Sequence, residues 1–364
     1  GHRRNDDFNG AEQEGVGLYQ VTQKNGRRWS AARAYLKPAR TRSNLTVITG
    51  ARATRLQLDG KRCRGVEYRR KGTVETLEAR KEVIVSAGAL QSPQLLLLSG
   101  VGPAEELARH QIPLRHELPG VGENLQDHPD YVTGYSSKDT RLVGMGPAGI
   151  WNTTKGLIDY WTRGTGYLTT NFAEGGAFLK TRPELDRPDI QLHFVVSIVD
   201  DHARKLYLRH GFSCHVCVLR PKSRGTLRLT SSDPLAAPEI NPGFLANPDD
   251  FDTLKAGVCQ MKALLETPPL APFRHEELYG ESTCSDSELD HLIRQRTDTV
   301  YHPIGTCRMG RDDMAVVDPE CRVRGLDNLR VVDASVMPNL IGGNTNAPTI
   351  MIAERIADGM KTTA

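Results

Sequence analysis

The chain has 364 residues, 38% of them hydrophobic and 25% charged, and its 47 basic and 44 acidic side chains leave a formal net charge of +3. A mixture so balanced, without a basic block, argues against a nucleic-acid partner. The longest apolar run, Leu95 to Leu98, is far below the ~18 residues that a membrane-crossing helix needs, and no apolar leader opens the chain.

The polar stretch Gly1 to Gly17 begins without Met and reads as a start in mid-protein. Residues 44 to 90 then read as a run of strands: Leu45–Thr49, Thr54–Leu58 closed by the Asp59-Gly60 turn, Gly65–Tyr68, Val74–Leu77 and Glu82–Ser86. The last feeds a helix, with Ser92 as its N-cap, Pro93 in its first turn and Ser99-Gly100 as its stop. Strand, glycine turn and helix in succession are the unit of a doubly wound sheet.

From about Asp139 the pattern changes to strands at Ile190–Val196, Ser213–Leu219 and Gly225–Leu229 mixed with helices. One helix runs from about Asp249 to Leu265 with Phe251, Leu254, Val258, Met261 and Leu265 on one face, and another opens at the capping box Ser285 to Glu288. This stretch reads as an α+β lobe built on an antiparallel sheet. The chain then returns to the α/β style with a strand at Leu329–Val332 and a helix from Asn346. The fold class expected is therefore α/β plus α+β, with domains at 1–138, 139–300 and 301–364, the first and last belonging together.

The seven cysteines are scattered and read as reduced thiols. Cys214 and Cys217 have a metal-like spacing, but no second pair follows, and strand alternation points them to opposite faces. Three Gly-Val-Gly triplets, at Gly15, Gly100 and Gly120, lack the third glycine of a dinucleotide fingerprint and read as turns. The strongest chemical signal is Tyr301-His302-Pro303-Ile304-Gly305, taken with Asp333 and the loop Gly342 to Thr349. A histidine of near-neutral pKa can accept a hydroxyl proton, and an asparagine amide can hold the resulting oxygen without adding charge.

Five blocks carry a resemblance. Gly88 to Gly102, Leu118 to His128, Tyr301 to Gly310, Val331 to Pro338 and Asn344 to Thr349 resemble, in order and spacing, segments of the glucose-methanol-choline (GMC) oxidoreductases, and the branch most similar is that of choline and alcohol dehydrogenases. The resemblance implies a partial doubly wound FAD-binding domain (1–138 and 301–364) and an antiparallel-sheet substrate domain (139–300). It implies FAD as cofactor, His302 as catalytic base and Asn346 as its partner. Ala53 would meet the adenine through its backbone, Asp333 and Ala334 would lie by the pyrophosphate and ribityl chain, and Pro348 and Thr349 would open the helix that faces the flavin.

The implied reaction is oxidation of a primary alcohol, choline-like or aliphatic or aryl, to the aldehyde, with a quinone or oxygen as electron acceptor. No metal is implied. Glu174 and Trp161 are candidate pocket residues. The family's phosphate-loop segment, about the first third of a full-length member, is not among the blocks found, so a fragment unable to hold FAD alone is the alternative. The expected location is cytoplasmic, with a peripheral position at the inner membrane as the other choice.

Overall fold

The computed structural model describes all residues except 145–146, 201–204, 206, 208, 280–283 and 363–364. The chain folds as two compact units. The first comprises Gly1–Arg42, Pro129–Arg220 and Pro248–Val300, and the second Ser43–His128, Pro221–Asn247 and Tyr301–Ala364. These limits differ from the expected ones at the start of the sheet lobe, which is Pro129, and in the assignment of Gly1–Arg42 and 221–247. Gly1–Arg42 joins the first unit because strand Gly15–Leu18 pairs antiparallel with Gly175–Leu179, and 221–247 joins the second because Gly225 bridges Leu125.

The first unit is built on a six-stranded antiparallel sheet. Its four central strands, Gly175–Leu179, Ile190–Val195, His210–Val218 and Pro129–Ser137, lie side by side in that order. Alternation gives the sheet one apolar face, carrying Ile190, Leu192, Val216 and Tyr131, onto which the helix Pro248–Leu265 packs. Gly257 makes that approach close, since a Cβ there would lie 2.9 Å from Val216 Cγ2. The opposite face carries Asp130, His215, His193 and Gln191, with His215 Nδ1 2.7 Å from Asp130 Oδ2. Cys214 and Cys217 stand on opposite faces, and none of the seven cysteines forms a disulfide. The capping box at Ser285 and Glu288 opens the helix Asp286–Arg296 as the sequence predicts.

In the second unit the strands Ala51–Asp59, Arg62–Arg70 and Thr73–Glu78 form an antiparallel meander. The segment Leu45–Thr49 forms no strand, and Val47 and Ile48 are exposed, because a β-rich sequence needs a partner edge before it becomes a ladder. Strand Val83–Val85 pairs in parallel with Leu329–Val331, its neighbour from the far end of the chain. Parallel strands need a crossover, and here it is most of the protein.

The Gly88–Leu98 helix follows the first of these strands and is buried almost all round. It starts four residues before the expected N-cap, so Ser92 and Pro93 are interior. A proline in mid-helix donates no N–H, which leaves the Ala89 carbonyl without its helical partner. Thr306 supplies one: its hydroxyl donates to Ala89 O at 2.5 Å, and the residue is fully buried. Removing that hydroxyl should orphan a buried carbonyl. Thr306→Val is expected to destabilise the protein by about 1–3 kcal/mol in urea unfolding, and by less in a Pro93→Ala background, where the restored N–H serves the same oxygen. Equal costs in both backgrounds would show that Thr306 acts otherwise.

Candidate active site

The site is assembled where two stretches of the second unit run antiparallel. Gln126 N donates to Ile304 O at 3.1 Å, Ile304 N returns a bond to Gln126 O at 2.9 Å, and Gly122 N donates to Thr306 O. Gly305 allows the close approach: its φ is +94°, and a Cβ would lie 2.4 Å from Asn124 O. The side chains of the first stretch then tie down a third, since Gln126 donates to Pro338 O at 3.0 Å and accepts from Leu340 N at 3.1 Å. The loop from 338 to 346 is thereby held beside His302.

One carboxylate oxygen, Asp127 Oδ1, accepts the backbone N–H of His128 at 2.8 Å and of His302 at 2.9 Å. The two imidazoles meet nearly at right angles, with Nδ1 facing Nδ1 at 3.0 Å. Two facing ring nitrogens need one proton between them. The other nitrogen of His128, Nε2, lies 3.0 Å from Ile341 O, a carbonyl that can only accept, so it is Nε2 of His128 that carries that ring's proton. Nδ1 of His128 is then the acceptor and Nδ1 of His302 the donor. This leaves Nε2 of His302 as a bare lone pair, which receives the amide Nδ2 of Asn344 at 3.2 Å.

His302 is buried at 8% exposure, and burial pushes its pKa from 6.5 down to about 4. The near-neutral value expected from the sequence is corrected accordingly: an imidazolium in this place loses its water. The ring is neutral over the whole physiological range.

A second cluster lies at the C-terminal ends of the two parallel strands. Asp333 is 7% exposed and accepts four hydrogen bonds: Gly88 N at 2.9 Å and Ser92 Oγ at 2.6 Å on one oxygen, Ser335 N at 2.8 Å and Ser335 Oγ at 2.5 Å on the other. It therefore joins the end of one strand to the start of the helix that follows the other. Ala334 is half-buried beside it, and its carbonyl accepts from Gly305 N at 3.4 Å, linking this cluster to the histidine segment. Burial and the Asp333 charge hold the Cys307 thiol well above its ordinary pKa, so it stays protonated and is not a nucleophile.

The remaining sequence-derived residues are more dispersed. Asn346 is exposed at the first position of the helix Asn346–Thr362, with Pro348 and Thr349 half-buried in its first turn. Ala53 is exposed in the meander opposite Tyr68, next to a register shift at Ala53/Arg55, where a bulge frees backbone groups from the ladder. Glu174 and Trp161 are both exposed in the first unit. The sequence reading gave no role to His128 or Asn344. The signal for both was present, in a His-containing block and a loop with two asparagines, but only the fold brings Asp127, His128 and Asn344 to one histidine.

A complete Gly-x-Gly-x-x-Gly does occur, at Gly144, Gly146 and Gly149, apart from the three Gly-Val-Gly triplets. It follows bends rather than a strand and leads into the helix Pro147–Arg163 of the first unit, so it lacks the strand–turn–helix setting of a phosphate loop; residues 145 and 146 lie outside the described residues.

Comparison with known proteins gives consistent results. Family models described as GMC oxidoreductase match residues 1–130 and 221–353. The alcohol dehydrogenase [acceptor] of Pseudomonas putida is 48% identical over 97% of this chain and 65% of its own length. An oxygen-dependent choline dehydrogenase of Yersinia pseudotuberculosis is 44% identical over 99% of the chain and 64% of its own length. Thus the chain spans a little under two thirds of these relatives. Among solved structures, pyridoxine 4-oxidase from Mesorbium loti superposes with a TM-score of 0.85 at 30% identity, covering 99% of this chain and 67% of that one. A formate oxidase of Aspergillus oryzae, studied for its FAD modification, gives 0.91 at 26% identity, covering 100% and 68%. With its mixed α/β fold and these matches, the chain belongs to the GMC oxidoreductase family, whose cofactor is FAD.

Proposed function

We propose that the protein oxidises a primary alcohol to the aldehyde, with His302 as the base that takes the hydroxyl proton. The observation that carries this is the lone pair of His302 Nε2, fixed by the chain of bonds through His128 to Ile341 O. A base must be unprotonated and must present a defined nitrogen, and both conditions are met. The alcohol hydroxyl donates to Nε2 in place of the Asn344 amide, which then becomes a donor to the same oxygen. Asn346 is the second partner that the family likeness supplies. As the O–H proton passes to Nε2, the carbinol C–H leaves with its electron pair; FAD, when bound, supplies the acceptor for that hydride, and an external quinone or oxygen takes the electrons onward.

The residues present fit part of the cofactor. The bulge at Ala53 offers backbone to an adenine, half-buried Ala334 lies at the C-terminal ends of the parallel strands, where α/β folds bind ligands, and the first turn of the terminal helix at Pro348 and Thr349 presents a partial positive charge to an electron-rich ring. The names of the relatives favour choline or another alcohol as substrate.

A second reading has one observation in its favour. The described parallel strands beside Asp333 are only a pair, and Ile84 in the middle of one is 45% exposed, whereas parallel strands are normally covered on both faces. The 364 residues alone are accordingly expected to hold FAD weakly. Tight stoichiometric flavin absorbance after dialysis would remove that reading.

In the complete protein, His302→Ala should slow flavin reduction by about 10²- to 10⁴-fold in stopped flow while flavin stays bound. Asn344→Ala and Asn346→Ala should each cost less, since the base remains. Reduction by His302→Ala at nearly the unmodified rate would sink the assignment.

The pH dependence has a definite sign. Because burial lowers the folded-state pKa of His302 to about 4 from 6.5, the unfolded chain binds the extra proton between those values, and stability falls as pH drops through that window. Acidification from neutral pH to about 4 is expected to cost roughly 1–3 kcal/mol through this group. His302→Gln should flatten the loss in calorimetry, and an unchanged slope would place the titrating group elsewhere.

A further inference from the structure

We infer that the outer face of the helix Pro147–Arg163, with the basic segment beside it, is a docking surface for an anionic lipid bilayer. The helix is amphipathic in the reverse of the usual sense. Steps of about 100° per residue put Ile150, Trp151, Leu157, Ile158 and Trp161 within one arc, and all five are exposed, Trp161 at 77%, Trp151 at 69% and Ile150 at 67%. The face toward the protein instead carries Gly149 and Gly156, both buried. An ordinary surface helix would bury the tryptophans and expose the small residues. Here five large apolar side chains are turned outward together, which singly scattered exposed hydrophobics would not explain.

Charge identifies the occupant. The helix holds a single acidic residue, Asp159, which sits away from the apolar arc and pairs with Arg163 at 3.6 Å. Beside the helix lies a hairpin of the same unit, Gln23–Lys24 paired with Arg27–Arg28. Arg27 lies over the Tyr160 ring at 5.9 Å, and Gln23 Nε2 donates to Thr169 O at 2.5 Å, so the hairpin is fastened to the C-terminal end of the helix. From Leu18 to Arg42 there is no Asp or Glu against seven Lys and Arg, and Leu18, Val21 and Tyr35 in that stretch are exposed as well. Apolar bulk, two tryptophans and the cationic hairpin beside them match the acyl boundary, headgroup level and negative surface of a membrane. No helix among the described residues is long and apolar enough to cross a membrane, so the contact is a surface one.

The test uses the complete protein and vesicles of phosphatidylcholine with or without phosphatidylglycerol. The protein should pellet with the anionic vesicles, with a blue shift of tryptophan emission, and be released by high salt. Ile150→Ser with Trp151→Ser should lower the partition coefficient by about tenfold or more, and Arg27→Glu with Arg28→Glu should abolish the preference for the anionic lipid, in each case with alcohol oxidation retained. Absence of pelleting, or a tryptophan variant that still pelleted normally, would overturn the inference. So would a tryptophan variant that changed the oligomeric mass in solution, because the face would then belong to a second copy.

Discussion

The arrangement around His302 depends on Asp127. Its one oxygen gathers the main chains of His128 and His302 within 2.9 Å, and both residues are buried. Fixing two main-chain positions fixes the origin of both rings, and the perpendicular contact of the imidazoles follows. Without this anchor the proton between the facing nitrogens could sit on either ring. With it, and with Ile341 O closing the far end, a single tautomer is selected and Nε2 of His302 is left unprotonated. The remaining parts of the site, the Gln126 clamp on 338–340 and the Thr306 bond to Ala89 O, hold the strands that carry these residues.

Local patterns were legible where the cause of structure is local. The capping box at Ser285, the apolar face of the helix Pro248–Leu265 and the meander turn at Asp59-Gly60 follow from neighbours a few residues apart, and they occur as read. The readings that failed involve remote partners. Leu45–Thr49 has the composition of a strand but no edge to join. Ser92-Pro93 has the composition of a helix start, yet the helix extends back to Gly88, and Ser92 Oγ accepts from Ala87 N while donating to Asp333, 241 residues on. The Asp333 partner is remote in sequence and leaves no local signal.

The same division runs through the site. His302 was found by its motif, and Asp333 by its position at a strand end. The two residues that determine what His302 can do, His128 and Asn344, come from separate blocks, and their relation to it is purely spatial. The asparagine singled out from the sequence, Asn346, is two residues beyond the one whose amide lies at hydrogen-bond distance from His302 Nε2. The loop carries asparagines at both places, and motif matching has no means of ordering them.

A further point concerns charge. The burial that keeps His302 neutral would also oppose its becoming an imidazolium, which the proposed proton transfer requires. The bonds already present reduce this conflict. Once Nε2 of His302 has taken the hydroxyl proton, the proton on Nδ1 can shift across the 3.0 Å contact to His128, placing the charge on a ring whose Nε2–H points at the Ile341 carbonyl dipole. The charge then rests one residue away from the reacting oxygen, against a group that stabilises it. A low-pKa base is thereby made workable by its neighbour rather than by solvent, and this accounts for why two buried histidines face each other without a carboxylate side chain between their rings.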